Sequence, residues 1–412
     1  MQSHDKNILR ELAKRYAEIA HHQAQIERSE LWRRVNRLER TRAPINFHVE
    51  EFCWLEILPD AGLQCVDPVC RGYEKTMRRR IWEWENLDDD HVIDPVIEYA
   101  VVVNDPSMEV WCPKRVYSGV SGGTYNNEPT IRNENDLLKI CMPDLSYDRV
   151  ATERSAEAAG EIFAGILTVR PGQGLYLGND IFDRFCEMRG MENVFMDMIE
   201  RPEWVHAVLG RMTDHWIARL EFLEQNNLLR LNHDRTECYN GGFGVTDQLP
   251  SPDFDGVHVR LKDCWGFAAA QSAVSISPEM HDEFAIDYDA RGLDKFGLNC
   301  YGCCETFDKK PGLLRKIPNL RRVSVSEWNN FVVMADALGD KYIYSVKPTG
   351  IFGAAEKWEP EAVERYLKAI FEMTKGCVLE IVCNTISTCR HQPQRLRDWT
   401  RIAKRLAMEY AE

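Results

Sequence analysis

Three cysteines and a glutamate fall within GLNCYGCCE, residues 297–305: Cys300, Cys303, Cys304 and Glu305. A further thiol, Cys383, lies near the end of the apolar run CVLEIVCNT (377–385). Zinc takes deprotonated thiolates, imidazoles or carboxylates in a tetrahedral array, and a catalytic zinc keeps three protein ligands with one position open. Cys300 with Cys303 or Cys304 supplies two thiolates from one segment and Cys383 a third, with Glu305, Glu237 or Glu327 offering an oxygen. The competing reading packs Cys303 and Cys304 as small hydrophobes under the rim of the fold. A redox dithiol lacks the thioredoxin-like context that such a pair needs. His48 and His233 are acid–base candidates, with Glu50, Glu51 and Asp105 as carboxylate partners. Tyr239, Trp265, Tyr301 and Trp328 suit the wall of a small organic ligand's pocket.

What must position these groups is a run of strands and helices. RAPINFHVE (42–50) and VIEYAVVVN (96–104) read as strands, and residues 5–40 as one or two amphipathic helices. Residues 105–150, with SGVSGG at 118–123, read as an insertion carrying short strands. ILTVRPGQGLYLG (166–178) is strand and loop, 203–225 a helix opened by Pro202, and LLRLNHD (228–234) a strand. SPEMHDEFAIDYDARGLDKF (277–296) is a helix capped by Ser277 with Pro278 in its first turn. Strands follow at GLNC, at 321–328, 341–348 and 377–385, each separated by a helix, and a helix closes the chain. Regular β–α alternation implies a parallel sheet. The expected architecture is an α/β fold, a closed eight-stranded (β/α)8 TIM barrel over 42–412 with loop insertions and an N-terminal helical extension over 1–41. A doubly wound open sheet is the alternative. In a barrel the site gathers at the carboxyl ends of the strands. That rule selects His48 and Glu50, Asn104 and Asp105, His233 to Cys238, Cys300 to Glu305, Glu327 and Trp328, Lys347, and Cys383 with Asn384.

Composition narrows the function classes. The 412 residues carry 51 Lys and Arg against 65 Asp and Glu, a formal charge of −14. Such a surface argues against nucleic acid or an anionic membrane as partner. No run approaches the roughly 18 unbroken apolar residues of a spanning helix, and the charged N-terminus has no signal-peptide core. A cytoplasmic protein is expected. There are 14 cysteines, and a chain this long and core-rich needs no disulfide framework, so most are expected reduced and buried. No GxGxxG or GxxxxGK[ST] phosphate loop, nucleophile elbow, HExxH or kinase signature occurs.

The run from Lys262 to Trp328 resembles the uroporphyrinogen decarboxylase superfamily. Asp263 and Gly266 match its acidic "DDxG" strand end; Ser277, Pro278, Glu279, Phe284 and Tyr288 match "ISPExFxEFxxPY"; Leu298, Asn299 and Gly302 lie along its "HxCG" strand. IERPEWVHAVLGRMTDHWIARLEFLEQ (199–225) is similar to a further helix of the family. The resemblance implies a (β/α)8 barrel, often dimeric. One branch decarboxylates a porphyrinogen without cofactor. The other consists of zinc enzymes that move methyl groups to or from corrinoid proteins, and its zinc ligands come from the His-x-Cys strand and a later cysteine. Here Asn299 and Tyr301 stand at the His and Cys positions, Cys300, Cys303 and Cys304 flank them, and Cys383 takes the place of the later cysteine. NFHVEEFCW (46–54) is acidic where the decarboxylases carry arginines, and it would repel a polycarboxylate. The resemblance therefore implies a zinc-dependent, corrinoid-linked methyltransferase. Its substrate would be a small methyl ether, amine or thiol, and a partner corrinoid protein would supply the corrinoid. The site would draw metal ligands from Cys300, Cys303, Cys304 and Cys383. Acid–base groups would be His48, Glu50 and Asp263, and substrate contacts Glu237, Tyr239, Asn299, Tyr301 and Trp328. A metal-free lyase of the same superfamily and a degenerate, non-catalytic barrel are the alternatives.

Overall fold

The computed structural model describes residues 3–119, 124–234 and 236–411; Val120 to Gly123 of the predicted SGVSGG loop lie outside them. Twelve strands occur among the described residues: β1 (Ile45–Val49), β2 (Val96–Tyr99), β3 (Val103–Asn104), β4 (Arg115–Tyr117), β5 (Tyr125–Asn127), β6 (Ser146–Tyr147), β7 (Thr168–Pro171), β8 (Trp265–Ala268), β9 (Leu298–Tyr301), β10 (Leu320–Ser326), β11 (Ile343–Lys347) and β12 (Val378–Ile386). Six of them, in the order β1-β12-β11-β10-β9-β8, form one parallel sheet curled into a half-barrel. β2 and β7 pair in a separate parallel sheet, and β3–β6 and β4–β5 are small antiparallel pairs.

The continuous ladder is thus six strands long where the alternation predicts eight. The strand expected at 228–234 does not form. Its place beside β8 is taken by a side chain: Asn232 Oδ1 accepts from Trp265 N at 2.8 Å and its amide donates to Trp265 O at 3.1 Å. Further along β8 the edge is met by backbone at a single isolated bridge, where Asn179 N donates to Phe267 O at 2.9 Å and Ala269 N to Asn179 O at 3.1 Å.

In-register parallel pairing fixes which side chains share a face. Arg322 of β10 is level with Cys300 of β9 and Ile343 of β11, Ser324 with Ser345, Ser326 with Lys347, and Ser345 with Glu380 of β12. Asn46 of β1 is level with Val382, and Phe47 with Cys383. Phe47 packs on Trp399 of the last helix, Gln394–Glu409, with ring centroids 5.1 Å apart, so its phase faces the helices. The opposite phase, Cys300, Arg322, Ser324, Ser345, Lys347, Glu380, Asn46 and His48, faces the interior.

Helices α1 (Ser3–Ala20) and α2 (Gln23–Asn36) precede the sheet. α2 plugs the amino-terminal end of the half-barrel. Its Asn36 amide donates to Phe243 O and Val245 O, both at 2.8 Å, and its Val35 packs on Ile343 and Val378. α3 (Glu51–Ile57) leaves β1 at its carboxyl end, and α4 (Pro68–Asn86) starts on an Asp67 cap that accepts from Val69 N and Cys70 N, the pattern expected of Asp before Pro. Ser277 caps Pro278–His281 as its sequence predicts.

Candidate active site

The half-barrel interior is filled with charge rather than with branched aliphatic layers. Arg322 and Glu380, exposed by only 1% and 0%, pair at 3.0 Å, and Arg322 also donates to Asn36 Oδ1 at 2.9 Å and to Cys300 Sγ at 3.5 Å. Its guanidinium lies 5.3 Å from the Trp265 ring centroid. Burial opposes its charge, but Glu380 and the Cys300 sulfur outweigh burial and hold it ionised. Cys300 Sγ is 3.2 Å from Cys238 Sγ. Burial alone would raise the Cys300 thiol; the Cys238 hydrogen bond and Arg322 pull it below its ordinary value, while burial pushes Cys238 well up.

One layer above, at the strand carboxyl ends, lies a cleft of ≈ 340 Å³ lined by Glu50, Asn240, Cys303, Cys304, Glu327 and Lys347, among others. The loop after β9 turns at Gly302, whose φ of +96° suits glycine. It is then pinned from both sides. Glu305 accepts from Cys303 N at 2.6 Å and Ala270 N at 2.9 Å, and the hydroxyls of Ser324 and Ser326 donate to the carbonyls of Cys303 and Cys304 at 3.2 and 3.0 Å. Cys303 and Cys304 are thereby held half-buried with their sulfurs 3.8 Å apart. The hydrogen bond from Cys303, and the Lys347 ammonium beyond it, draw Cys304 below the ordinary thiol value despite burial; Cys303 is correspondingly raised. Lys347 Nζ donates to Ser345 Oγ at 2.6 Å, and burial brings its pKa down to about 8.

A second polar group lies beneath, toward β2. Glu237 is 3.7 Å from His48 Nδ1, 3.4 Å from His91 Nδ1 and 4.0 Å from Arg80. It borders a cavity of ≈ 530 Å³ that also takes in Arg170, Arg230 and Glu98. Burial, and then Arg80, keep His91 well below its ordinary value and hence neutral.

The 3.8 Å between the Cys303 and Cys304 sulfurs matches the edge of a tetrahedron with Zn–S bonds of about 2.3 Å. A catalytic zinc needs three protein ligands, and among the described residues no His, Cys, Asp or Glu completes such a group here. Glu305, held on two backbone amides, does not bring an oxygen within 4.8 Å of both sulfurs. Cys300 lies a layer lower against Cys238. Cys383 shares the phase of Phe47 and is fully buried in the core between sheet and helices. The residues present do not fit a three-ligand zinc at this mouth.

Of the other sequence-selected residues, Glu50 and Trp328 line the mouth, and His48 and Glu237 meet in the polar group beneath it. Three do not join it. Asp263 precedes β8, at its amino end, and its carboxylate is consumed by Arg260 at 2.8 Å and the amides of Arg260 and Ser251. Asn299 and Tyr301 take the outward phase: Asn299 donates to Leu293 O and Pro318 O, and Tyr301 to Asp289 Oδ2 at 2.8 Å. Tyr239 stacks on Phe267 at 5.2 Å, a packing role that borders the interior. Arg322 and Glu380 were not singled out from sequence, and Cys238 and Lys347 only by their place at a strand end. The signal that marks them is polar residues at every second position: Arg322, Ser324, Ser326 on β10, Ser345, Lys347 on β11, Glu380 on β12.

No family model matches the chain, and no curated protein matches it in sequence. Among solved structures, a methyltransferase from Methanosarcina mazei is similar with a TM-score of 0.50, over 90% of this chain and 97% of that one, at 9% identity. At that identity the likeness is one of fold. Among the described residues no helix is long and apolar enough to cross a membrane.

Proposed function

We propose that this chain is a methyltransferase of the corrinoid-linked branch of the uroporphyrinogen decarboxylase superfamily. It would work on a small methyl ether, amine or thiol at the mouth formed by Cys303, Cys304 and Lys347. The observation that carries the reading is that mouth: a thiol of lowered pKa after β9 and a lysine of pKa about 8 at the end of β11, both at the carboxyl edge of the one parallel sheet. A fold shared with a methyltransferase supports it. The cleft of ≈ 340 Å³ suits a small substrate and is too small to swallow a corrin ring. The corrinoid, presented from outside by a partner protein, would supply the atom that takes or gives the methyl group. Phe52, Trp328 and Ile351, which follow β1, β10 and β11, are 60%, 69% and 66% exposed and give that partner an apolar rim.

The chain's own groups handle the heteroatom. When a methyl group leaves oxygen or nitrogen, the C–X bond breaks and its electron pair stays on X. Lys347 Nζ, charged below about pH 8, gives X the proton. In the opposite direction the neutral amine takes the proton of a thiol or hydroxyl acceptor. The Cys304 sulfur and the Glu50 and Glu327 carboxylates favour the cationic end of an amine. Zinc enters no step.

The test mixes the protein with cob(I)alamin and, separately, an aromatic methyl ether, a methylamine and a methyl thioether, and follows the cobalt spectrum. Methylation of cobalt is expected with one class, falling above about pH 8 and slowed about 100-fold or more in Lys347→Met, the usual contribution of a general acid. No turnover with any class in either direction, or a Lys347→Met rate equal to wild type, refutes the reading.

A further inference from the structure

We propose that Cys53, Glu56 and Cys389 form a zinc site that ties the exit of the first strand of the half-barrel to the exit of the last. The three residues bring one sulfur, one carboxylate oxygen and a second sulfur within 4.8 Å of one another. A tetrahedral zinc with bonds of about 2.0–2.3 Å sets its donors roughly 3.5–3.8 Å apart, so small side-chain rotations close the set. Cys389 Sγ is already 3.2 Å from Glu56 Oε2. It is the only such group among the described residues, and it lies apart from the cysteines at the mouth.

The local structure prepares the donors. Cys53 and Glu56 are three residues apart on α3 and so share a helix face. Cys389 comes from the segment between β12 and the last helix, and β12 is the neighbour of β1 in the sheet. The Glu56 carboxylate is aimed by donors that are not themselves ligands: Cys389 N at 3.0 Å, His391 N at 2.9 Å and the Thr388 hydroxyl. Outer-shell hydrogen bonds of this kind orient a ligating carboxylate. Both cysteines are fully buried and unbridged, while Glu56 is partly exposed. Binding would expel two thiol protons and leave a Cys2Glu set with net charge of minus one.

The ion would fix two stretches of the mouth at once, Glu50 at the start of α3 and Asn384–Thr385 at the end of β12. The inference does not depend on the methyl-transfer reading, because its readout is metal content.

The experiment measures zinc by elemental analysis on the full chain purified without chelator and re-equilibrated with one equivalent of zinc. About one zinc per chain is expected, lost at least tenfold in Cys53→Ser and in Cys389→Ser and kept in Cys303→Ser and Cys304→Ser. The cobalt(II) protein should show thiolate-to-cobalt charge-transfer absorption that the same two variants abolish. Should those variants not fold, Glu56→Gln and a chelator-induced fall in the melting temperature of the wild type carry the test, since a ion that binds only the folded chain stabilises it. Zinc below a tenth per chain, zinc that disappears with Cys303 or Cys304 instead, or a Cys53–Cys389 disulfide in the protein as isolated would each overturn the site.

Discussion

Replacing Lys347 by Met should make the protein more stable at neutral pH while disabling the mouth. Lys347 is 5% exposed, and burial is the first cause of a pKa near 8. An unfolded lysine titrates near 10.4, so at pH 7 the folded state carries an ammonium it disfavours by about 3 kcal/mol. Methionine keeps the apolar stem and removes the charge. The Ser345 hydroxyl loses the donor it holds at 2.6 Å, a loss of about 1 kcal/mol. The net expectation is a gain of about 2 kcal/mol at pH 7. Its sign with pH is fixed by linkage: between about pH 8 and 10.4 the unfolded chain binds a proton that the folded chain does not, so wild-type stability rises through that window and the advantage of the variant shrinks. Urea midpoints by tryptophan fluorescence at pH 7 and pH 9.5 measure both. A variant less stable than wild type at pH 7, or a difference that stays constant with pH, refutes the buried-charge argument.

Three further outcomes follow from the same structure. Glu380→Gln leaves Arg322 charged and buried without its carboxylate, and thermal or urea denaturation should register a loss of about 3–5 kcal/mol. His281 is fully buried, neither ring nitrogen has a hydrogen-bond partner among the described residues, and burial followed by Lys310 holds its pKa down to about 3. Its unfolded form takes up a proton near pH 6.5, so stability falls on acidification between those values, and His281→Leu should narrow the loss from pH 7 to pH 5 by about 2 kcal/mol in the same denaturation assay. A Cβ on Gly242 would meet the Trp32 ring at 2.0 Å; Gly242→Ala should lower the urea midpoint by the equivalent of about 1–3 kcal/mol by prising α2 off the half-barrel.

Five of the six strands that build the sheet are legible as short β-prone runs bounded by helix and turn signals; β8, only four residues long, is the one not read from its own pattern. Helix starts are legible from their caps, as at Ser277–Pro278. Facing is marked on β10 and β11 by polar residues at every second position, but not on β9. That strand is covered on both sides and has no such alternation: Leu298, Asn299, Cys300 and Tyr301 are all buried, and nothing local tells which of them see the interior. The strand-end rule therefore reached the right edge of the sheet while assigning Tyr301 and Cys383 to the wrong face, as the resemblance did Asn299, each an error of one residue in phase. Asp263 fails differently: it lies at the amino end of its strand, where the acidic match placed it at the carboxyl end. Cys53 and Cys389 are 336 positions apart, and their meeting depends on β1 closing against β12, a pairing that follows from topology rather than from any spacing.

The layer beneath the mouth explains why its lysine is poised near neutrality. Lys347 faces two opposite charges across the interior: Glu380 favours its ammonium form and Arg322 opposes it. Glu380 is already committed to Arg322 at 3.0 Å and to Gly242 N at 3.0 Å, so its field is largely spent one layer down. Burial then decides, and the pKa falls to about 8. The charge that remains at pH 7 acts upward on the Cys304 sulfur, where it adds to the hydrogen bond from Cys303. The acid–base state offered to a ligand is thus set first by burial and then by the ion pair one layer down, and the polar interior of this half-barrel is the lower half of its candidate site.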